Sequence, residues 1–399
     1  MKKFFVSALM LAFALSSVSA KDKKKTEDEG YVFTTVKELK ITPVKNQNRT
    51  GTCWCFSTLG FLESELLRMG KGEYDLSEMF IVSKNYKDKA EKFVRLHGEL
   101  NYAQGGSFED VLQAWKDYGI VPELVMNGLQ YGEDMHVHNE LESASRAYLD
   151  EIIKNPNRKL STAWKKGFDG IIDAYLGTAP EKFTYNGKEY TPKSFAAELG
   201  INPDDYVSLT SYTHHPFYSE FAIEVQDNWR WATSYNLPID ELMQVFENAI
   251  NTGYTIAWGA DVSEKGFTRN GIGIIPDIES MERSGSDQDR WLGLSTSEKD
   301  AEIKKMMEKP CKELEITQEM RQEAYDNYET TDDHGMQIYG IAKDQTGKKF
   351  YMIKNSWGTD NKYKGTWYIS ENFVKYKTMN IVVHKDALPQ AIKDKLHIK

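Results

Sequence analysis

The sequence predicts an α+β fold: a helical half, then a barrel-like β half, with a long insertion between them. Three observations predict it. Apolar residues recur at helical spacing between about residues 43 and 122, and period-two strand patterns dominate about 254–385. The stretch at about 126–231 follows neither rule and contains no internal repeat. Helices in one region and strands in another must bury their apolar faces against each other, and the seam between such halves is a natural cleft.

Taken in order, residues 53–69 read as a helix, with Phe56, Leu59, Leu62, Leu66 and Met69 on one face and Gly70 as its stop. Ser77 suits the cap of a second helix. Residues 109–118 form a third, ended by Gly119, and 139–154 a helix inside the insertion. Residues 238–252 are helical, 254–260 a buried strand, and 303–328 a charged helical excursion. Segments 336–342 and 350–357 alternate and form a hairpin through the turn-rich 343–349; strands at 365–370 and 379–384 follow.

The first twenty residues have the layout of a secretory signal. Lys2 and Lys3 precede an apolar run at 4–15, and Val18-Ser19-Ala20 suits cleavage. The run is shorter than the roughly 20 residues a membrane span requires. A secreted or periplasmic protein without stable membrane insertion is expected, joined through a polar linker at 21–30 to folded sequence at 31–399. That linker is too short for a cleft-blocking pro-segment. The net charge of −10 becomes −12 once Lys2 and Lys3 are removed. Such acidity argues against nucleic acid as a partner, because phosphate binding draws on clustered Lys and Arg.

Of three cysteines, Cys53 and Cys55 lie in one helical turn, point to different faces and form no relaxed bridge. Cys311 reads as a lone thiol. Cys53 closes the run Gln47-Asn48-Arg49-Thr50-Gly51-Thr52-Cys53-Trp54. Asp333-His334-Gly335 and Lys354-Asn355-Ser356-Trp357-Gly358 follow much later. A lone thiol is more often a buried structural group. The ordered set of Gln47, His334, Asn355 and Trp357 favours a nucleophile instead.

The chemistry explains the residue types. A sulfur at a helix start feels the positive end of the macrodipole, and a neighbouring imidazolium lowers its pKa further. Gly51 permits a tight turn into the helix. Gln47 offers an NH₂ beside the Cys53 N–H to receive a developing oxyanion. Asn355 fixes the His334 ring, and Trp357 shields that hydrogen bond. Such a trio performs acyl transfer on amides and calls for no cofactor or metal. Cys55 reads as core packing. His136-Val137-His138 lacks a third ligand and reads as a surface loop, His214-His215 as a loop near a cleft rim, and Asp333 as a solvated acid.

These residues resemble the papain family of cysteine peptidases, within it the bleomycin hydrolase / aminopeptidase C branch. Thr50 stands where papain has another Cys, as in that branch. Gln104-Gly105-Gly106-Ser107 is similar to the family segment that holds a substrate peptide, which makes Gly105, Gly106 and Trp357 substrate-binding candidates beside the catalytic set Cys53, His334, Asn355 and Gln47. Pro238-Ile239-Asp240 and Trp258-Gly259-Ala260-Asp261-Val262 resemble the branch specifically. So does the insertion, which places His334 281 residues beyond Cys53 where papain-type spacing is about 130–150. The resemblance implies a papain-like fold, peptide substrates, aminopeptidase action and a homo-hexameric ring. The branch's C-terminal arm, which offers its carboxylate to the substrate amine, is not matched at Ile398-Lys399. Endopeptidase or transpeptidase action by the same trio, or a silent peptide-binding cleft, are the alternatives.

Overall fold

The computed structural model describes residues 30–278 and 294–399. The predicted signal at 1–20 and the linker up to residue 29 lie outside the described residues. Among the described residues six α-helices precede the C-terminal half: α1 (Cys53–Arg68), α2 (Glu78–Arg95), α3 (Phe108–Tyr118), α4 (Asn139–Ile153), α5 (Ala163–Leu176) and α6 (Pro192–Leu199). After them come α7 (Ile239–Thr252), α8 (Thr296–Met307), α9 (Gln318–Asp326), α10 (Glu371–Lys377) and α11 (Gln390–Leu396). Where the sequence suggested one charged helical stretch at 303–328, Pro310 separates α8 from α9. Proline removes an N–H and clashes with the preceding turn, so the helix cannot run through it.

The strands are β1 (Phe33–Glu38), a small hairpin β2 (Phe183–Tyr185) with β3 (Lys188–Tyr190), β4 (Tyr206–Thr210), β5 (Glu220–Ala222), β6 (Thr233–Asn236), β7 (Ile256–Ala260), β8 (Phe267–Thr268), β9 (Ile272–Gly273), β10 (His334–Asp344), β11 (Lys349–Lys354), β12 (Thr366–Ser370) and β13 (Thr378–His384). Apart from the β2–β3 hairpin they form one eleven-stranded sheet, ordered β5-β6-β4-β13-β7-β10-β11-β12-β9-β8, with β1 also on β10. The sheet is open. The barrel-like half expected from the sequence is therefore corrected: β4 and β6, which flank the end of the presumed insertion, extend the sheet outward from β13 instead of letting its edges meet.

Strand alternation builds two cores on the two faces of this sheet. Ala257 and Val382 point toward the helical side and pack in one cluster with Leu59, Leu62 and Leu66 of α1. Trp258, Ile338, Ile381 and Val383 point the other way, against Leu242 and Phe246 of α7 and Ile392 and Leu396 of α11. Those α1 leucines are fully buried, worth about 1.5–3 kcal/mol each. The Ser77 side chain accepts the Phe80 N–H at the start of α2, as its position suggested. Losing such a cap costs about 1 kcal/mol.

Small residues let α1 lie directly on β10. A Cβ on Gly335 would stand 2.8 Å from Ser57 Oγ and 3.3 Å from Trp54 Cα. Gly60 in α1 faces Lys354 Nζ and Gln337 Oε1 almost as closely, at 3.2 and 3.3 Å from where its Cβ would be. The helix carrying Cys53 and the strand opening with His334 are thereby held in contact.

Candidate active site

Cys53 is the first residue of α1. The helix has no acidic side chain in its first turn and no side-chain cap at Thr52, so the positive end of its dipole is left for the sulfur. The Gly51 N–H donates to Gln104 Oε1 at 2.7 Å, and a Cβ there would sit 3.0 Å from Gln104 Cβ. Glycine serves close approach at this point. Trp54 Nε1 donates to the Gln104 carbonyl at 3.0 Å. Two bonds thus strap the Gln104-Gly105-Gly106 segment to the nucleophile turn.

His334 opens β10 opposite Ala260 of β7. One of its ring nitrogens, Nε2, lies 2.8 Å from Asn355 Oδ1. That same oxygen accepts the Ser356 backbone N–H at 2.7 Å. A backbone N–H can only donate, so the amide orientation of Asn355 is settled and Nε2 carries the hydrogen of the neutral ring. Nδ1 is left as the base. Trp357 stacks on the ring with centroids 4.6 Å apart, covering the bond to Asn355 while remaining 38% exposed itself.

Gln47 is fixed in the same way. Its Nε2 donates to the Thr50 carbonyl at 2.7 Å, and its Oε1 accepts from Ser356 Oγ. The amide therefore presents its NH₂ toward the Cys53 turn, as an oxyanion site requires.

Cys53 and His334 line one cavity, together with Trp54, Gly106, Phe108 and Asn380. Burial pushes the Cys53 thiol up to about 12, and the Asp332 and Asp227 carboxylates push the same way; the backbone N–H groups of Gly335 and Trp54 oppose them. Burial also takes His334 down to about 4, against the lift from Asn355. Burial thus opposes the ionic form of each group, where the sequence suggested a lowered thiol. Moving the proton within the pair makes two opposite charges together, whose attraction in a low-dielectric site offsets that desolvation.

The remaining candidates fall out differently. Gly106 lines the cavity, but Gly105 is covered: a Cβ there would lie 1.9 Å from Asp227 Oδ2. Asp333 does not orient His334; its carboxylate accepts the Val262 and Ser263 N–H groups at 2.8 and 3.2 Å and ties down the loop after β7. Cys55 is buried, and all three cysteines are free. The reading of 136–138 as a surface loop is corrected. His138 is fully buried at the start of α4, because paired backbone bonds between Arg49 and the 136–138 segment draw that segment onto the nucleophile loop. His214 and His215 each place Nε2 3.1 Å from a Glu224 oxygen. Those three residues could together hold a metal ion. Sequence reasoning missed Asp227, Asp332, Glu109 and Ser356. Only Ser356 had a signal, its place between Asn355 and Trp357.

A thiol, an oriented imidazole and a fixed amide on a helix–sheet seam define the cysteine peptidase class. The chain belongs to the Peptidase C1-like family, which it matches over residues 4–302 and 306–399. It is 23% identical to aminopeptidase C of Lactococcus lactis subsp. lactis (strain IL1403), with 88% of this chain and 83% of that protein covered. It is equally similar to aminopeptidase G of Lactobacillus delbrueckii subsp. lactis, at 23% over 90% and 84% of the two chains. The crystal structure of PepW from Lactobacillus rhamnosis HN001 shares its fold, with a TM-score of 0.69 and 20% identity over 91% of this chain and 84% of that one. Among the described residues no helix is long and apolar enough to cross a membrane.

Proposed function

We propose that this protein is an aminopeptidase that removes residues from peptide N-termini through an acyl-enzyme on Cys53. The observation that carries the reading is the fixed tautomer of His334, with Nε2–H on Asn355 and Nδ1 free, in the cavity that also holds Cys53. The Cys53 proton passes to Nδ1 and the sulfur attacks the scissile carbonyl, forming the C–S bond. The oxyanion is received by the Cys53 N–H and Gln47 Nε2. His334 returns the proton to the leaving amine as the C–N bond breaks. Water, deprotonated by His334, then forms the C–O bond and releases the thiolate.

The lactococcal and lactobacillar relatives' names and the exposed face of Trp357, ready for the leaving side of a peptide, support this reading. Action outside the cytoplasm is proposed from the signal-like first twenty residues, and a ring-shaped homo-hexamer from the resemblance alone. The test is Cys53→Ala, which should lower turnover of leucyl-aminomethylcoumarin by at least about 10⁴-fold with an unchanged circular dichroism spectrum. Unchanged turnover would remove the assignment.

A further inference from the structure

We propose that the Asp227 and Asp332 carboxylates receive the free α-ammonium group of a peptide's first residue, so that the cleft admits one residue ahead of the bond that is cut. The inference deepens the aminopeptidase reading by naming residues of this chain that would enforce it.

Geometry comes first. Asp227 and Asp332 line the cavity that holds Cys53 and His334, and Glu109 lies on the same wall. The α-nitrogen of a substrate is two bonds from the carbonyl carbon that sulfur attacks. A group that receives this nitrogen must therefore sit close to the sulfur, and Asp332 and Asp227 share the lining of one cavity with Cys53.

Asp332 also lacks a partner. It is partly buried on the cavity wall, and neither a hydrogen-bond donor nor a cation of the chain meets it among the described residues; the side-chain charges around it are Asp227, Asp333 and Glu109, all acidic. Ionising a partly desolvated carboxylate among other acids is costly, and a cation from outside the chain would offset that cost. Asp227 accepts one 3.2 Å hydrogen bond from Asn101 Nδ2 and feels one cation, Lys89. Lys89 is already committed to the Ala103 and Gly105 carbonyls behind the strip. Arg230, the other nearby cation, is bound to Asp110 and Asp88.

The same carboxylate closes the way upstream. Asp227 lies against Gly105, so the glycine face along which a longer peptide would extend is occupied. The segment that carries it is firmly built. Asn228 bonds the Ile223 and Ala232 carbonyls and the Ala232 N–H, and Trp229 Nε1 donates to Asp110 at 2.8 Å. The last helix, α11, packs on α7, and among the described residues none after Asn380 lines the cavity.

The experiment measures binding to the full-length Cys53→Ala protein by calorimetry, which requires no turnover. Leucyl-glycyl-glycine should bind roughly ten- to a hundred-fold tighter than its N-acetyl form. The 2-hydroxy analogue, with OH in place of the ammonium, should bind as weakly as the acetylated peptide. Adding Asp332→Asn, or Asp227→Asn with Asp332→Asn, should reduce the preference to about threefold or less. The hydroxy analogue tests the idea with both acids in place should the double variant fail to fold. Equal binding of free and acetylated peptides would overturn the proposal. So would equal binding of acetyl-lysyl-leucyl-glycyl-glycine, whose side-chain ammonium would then be the group recognised. Turnover of leucyl-aminomethylcoumarin by the native protein is read in parallel. Turnover without the preference sinks the amine site alone, and preference without turnover sinks the peptidase reading alone.

Discussion

Ser356 Oγ donates to Gln47 Oε1 at 2.5 Å, joining the loop that orients His334 to the amide that faces the nucleophile turn. Three consecutive residues thus each serve the site: Asn355 holds the ring, Ser356 holds the oxyanion amide, and Trp357 stacks on the ring. The Gln47 N–H also donates to the Ser356 carbonyl at 2.9 Å, so the two loops are zipped by backbone as well.

Ser356→Ala should therefore act on the transition state with little effect on substrate binding. The Gln47 amide keeps its bond to Thr50 but loses the contact that stops it turning. We expect kcat to fall about tenfold with KM nearly unchanged. Ser356→Thr, which keeps a hydroxyl, should recover most of the loss, and Gln47→Ala should cost about 10²–10³ in kcat. Steady-state kinetics with leucyl-aminomethylcoumarin reads all three. A purely structural role for Ser356 would lower folding stability without this split.

Gly335→Ala tests the contact between helix and strand. Its new methyl would meet Ser57 Oγ at 2.8 Å and the Trp54 backbone at 3.3 Å. A side chain can turn away, but Trp54 Cα moves only with the helix that carries Cys53. The expected cost is about 1–3 kcal/mol of stability, with a drop in activity larger than that loss explains. Adding Ser57→Ala should restore part of the stability and little of the activity, since the backbone clash remains. Urea titration alongside kinetics separates the two effects.

The nucleophile motif was legible because its parts are local: one loop carries Gln47, Gly51 and Cys53 into one helix, and helical periodicity marks where that helix begins. His334, which opens β10, and Asn355, which directly follows β11, were legible because each sits in a short distinctive run, Asp333-His334-Gly335 and Lys354-Asn355-Ser356-Trp357-Gly358. Asp227 was not. It is 122 residues from Gly105, on a segment without periodicity, and reaches the cleft through Trp229 and Arg230 docking on Asp110. Such placement is purely tertiary. The open sheet was missed for a related reason: β4 and β6 are short, and only their pairing with β13 and with each other makes them strands of the main sheet. The neighbouring acids Asp332 and Asp333 looked alike in sequence, yet Asp333 is tied to backbone N–H groups while Asp332 lines the cavity beside Cys53.

The pH dependence of Cys53 alkylation should report Asp332. Anionic carboxylates raise the thiol's pKa, so Asp332→Asn should move the midpoint of iodoacetamide labelling to lower pH. Asp332 itself is pushed up to about 7, by burial and then by Asp227. It is therefore anionic only above that pH, and native and variant rates should converge below it. An unmoved midpoint would show that Asp332 does not act on the sulfur.

Lys45 tests the support beneath Gln47. Its ammonium lies 3.3 Å from Glu63, 2.8 Å from Glu78 and 2.6 Å from Asp75, and donates to the Leu76 carbonyl at 3.1 Å. Glu63 and Glu78 are almost wholly buried. Lys45→Met would leave both carboxylates without their shared cation, at a cost of about 3–5 kcal/mol near neutral pH. Burial already raises Glu78 to about 7, with Lys45 pulling it down, so without the lysine it should rise further. A carboxyl whose folded pKa exceeds its unfolded value takes up a proton more readily in the folded state, and stability then falls as pH rises between the two values. The destabilisation of Lys45→Met should accordingly shrink as pH drops from 8 toward 5, whereas an effect arising from lost packing would stay constant. Urea unfolding of both proteins across that range decides between them, with Glu78→Gln in the Lys45→Met background expected to recover stability chiefly at the alkaline end.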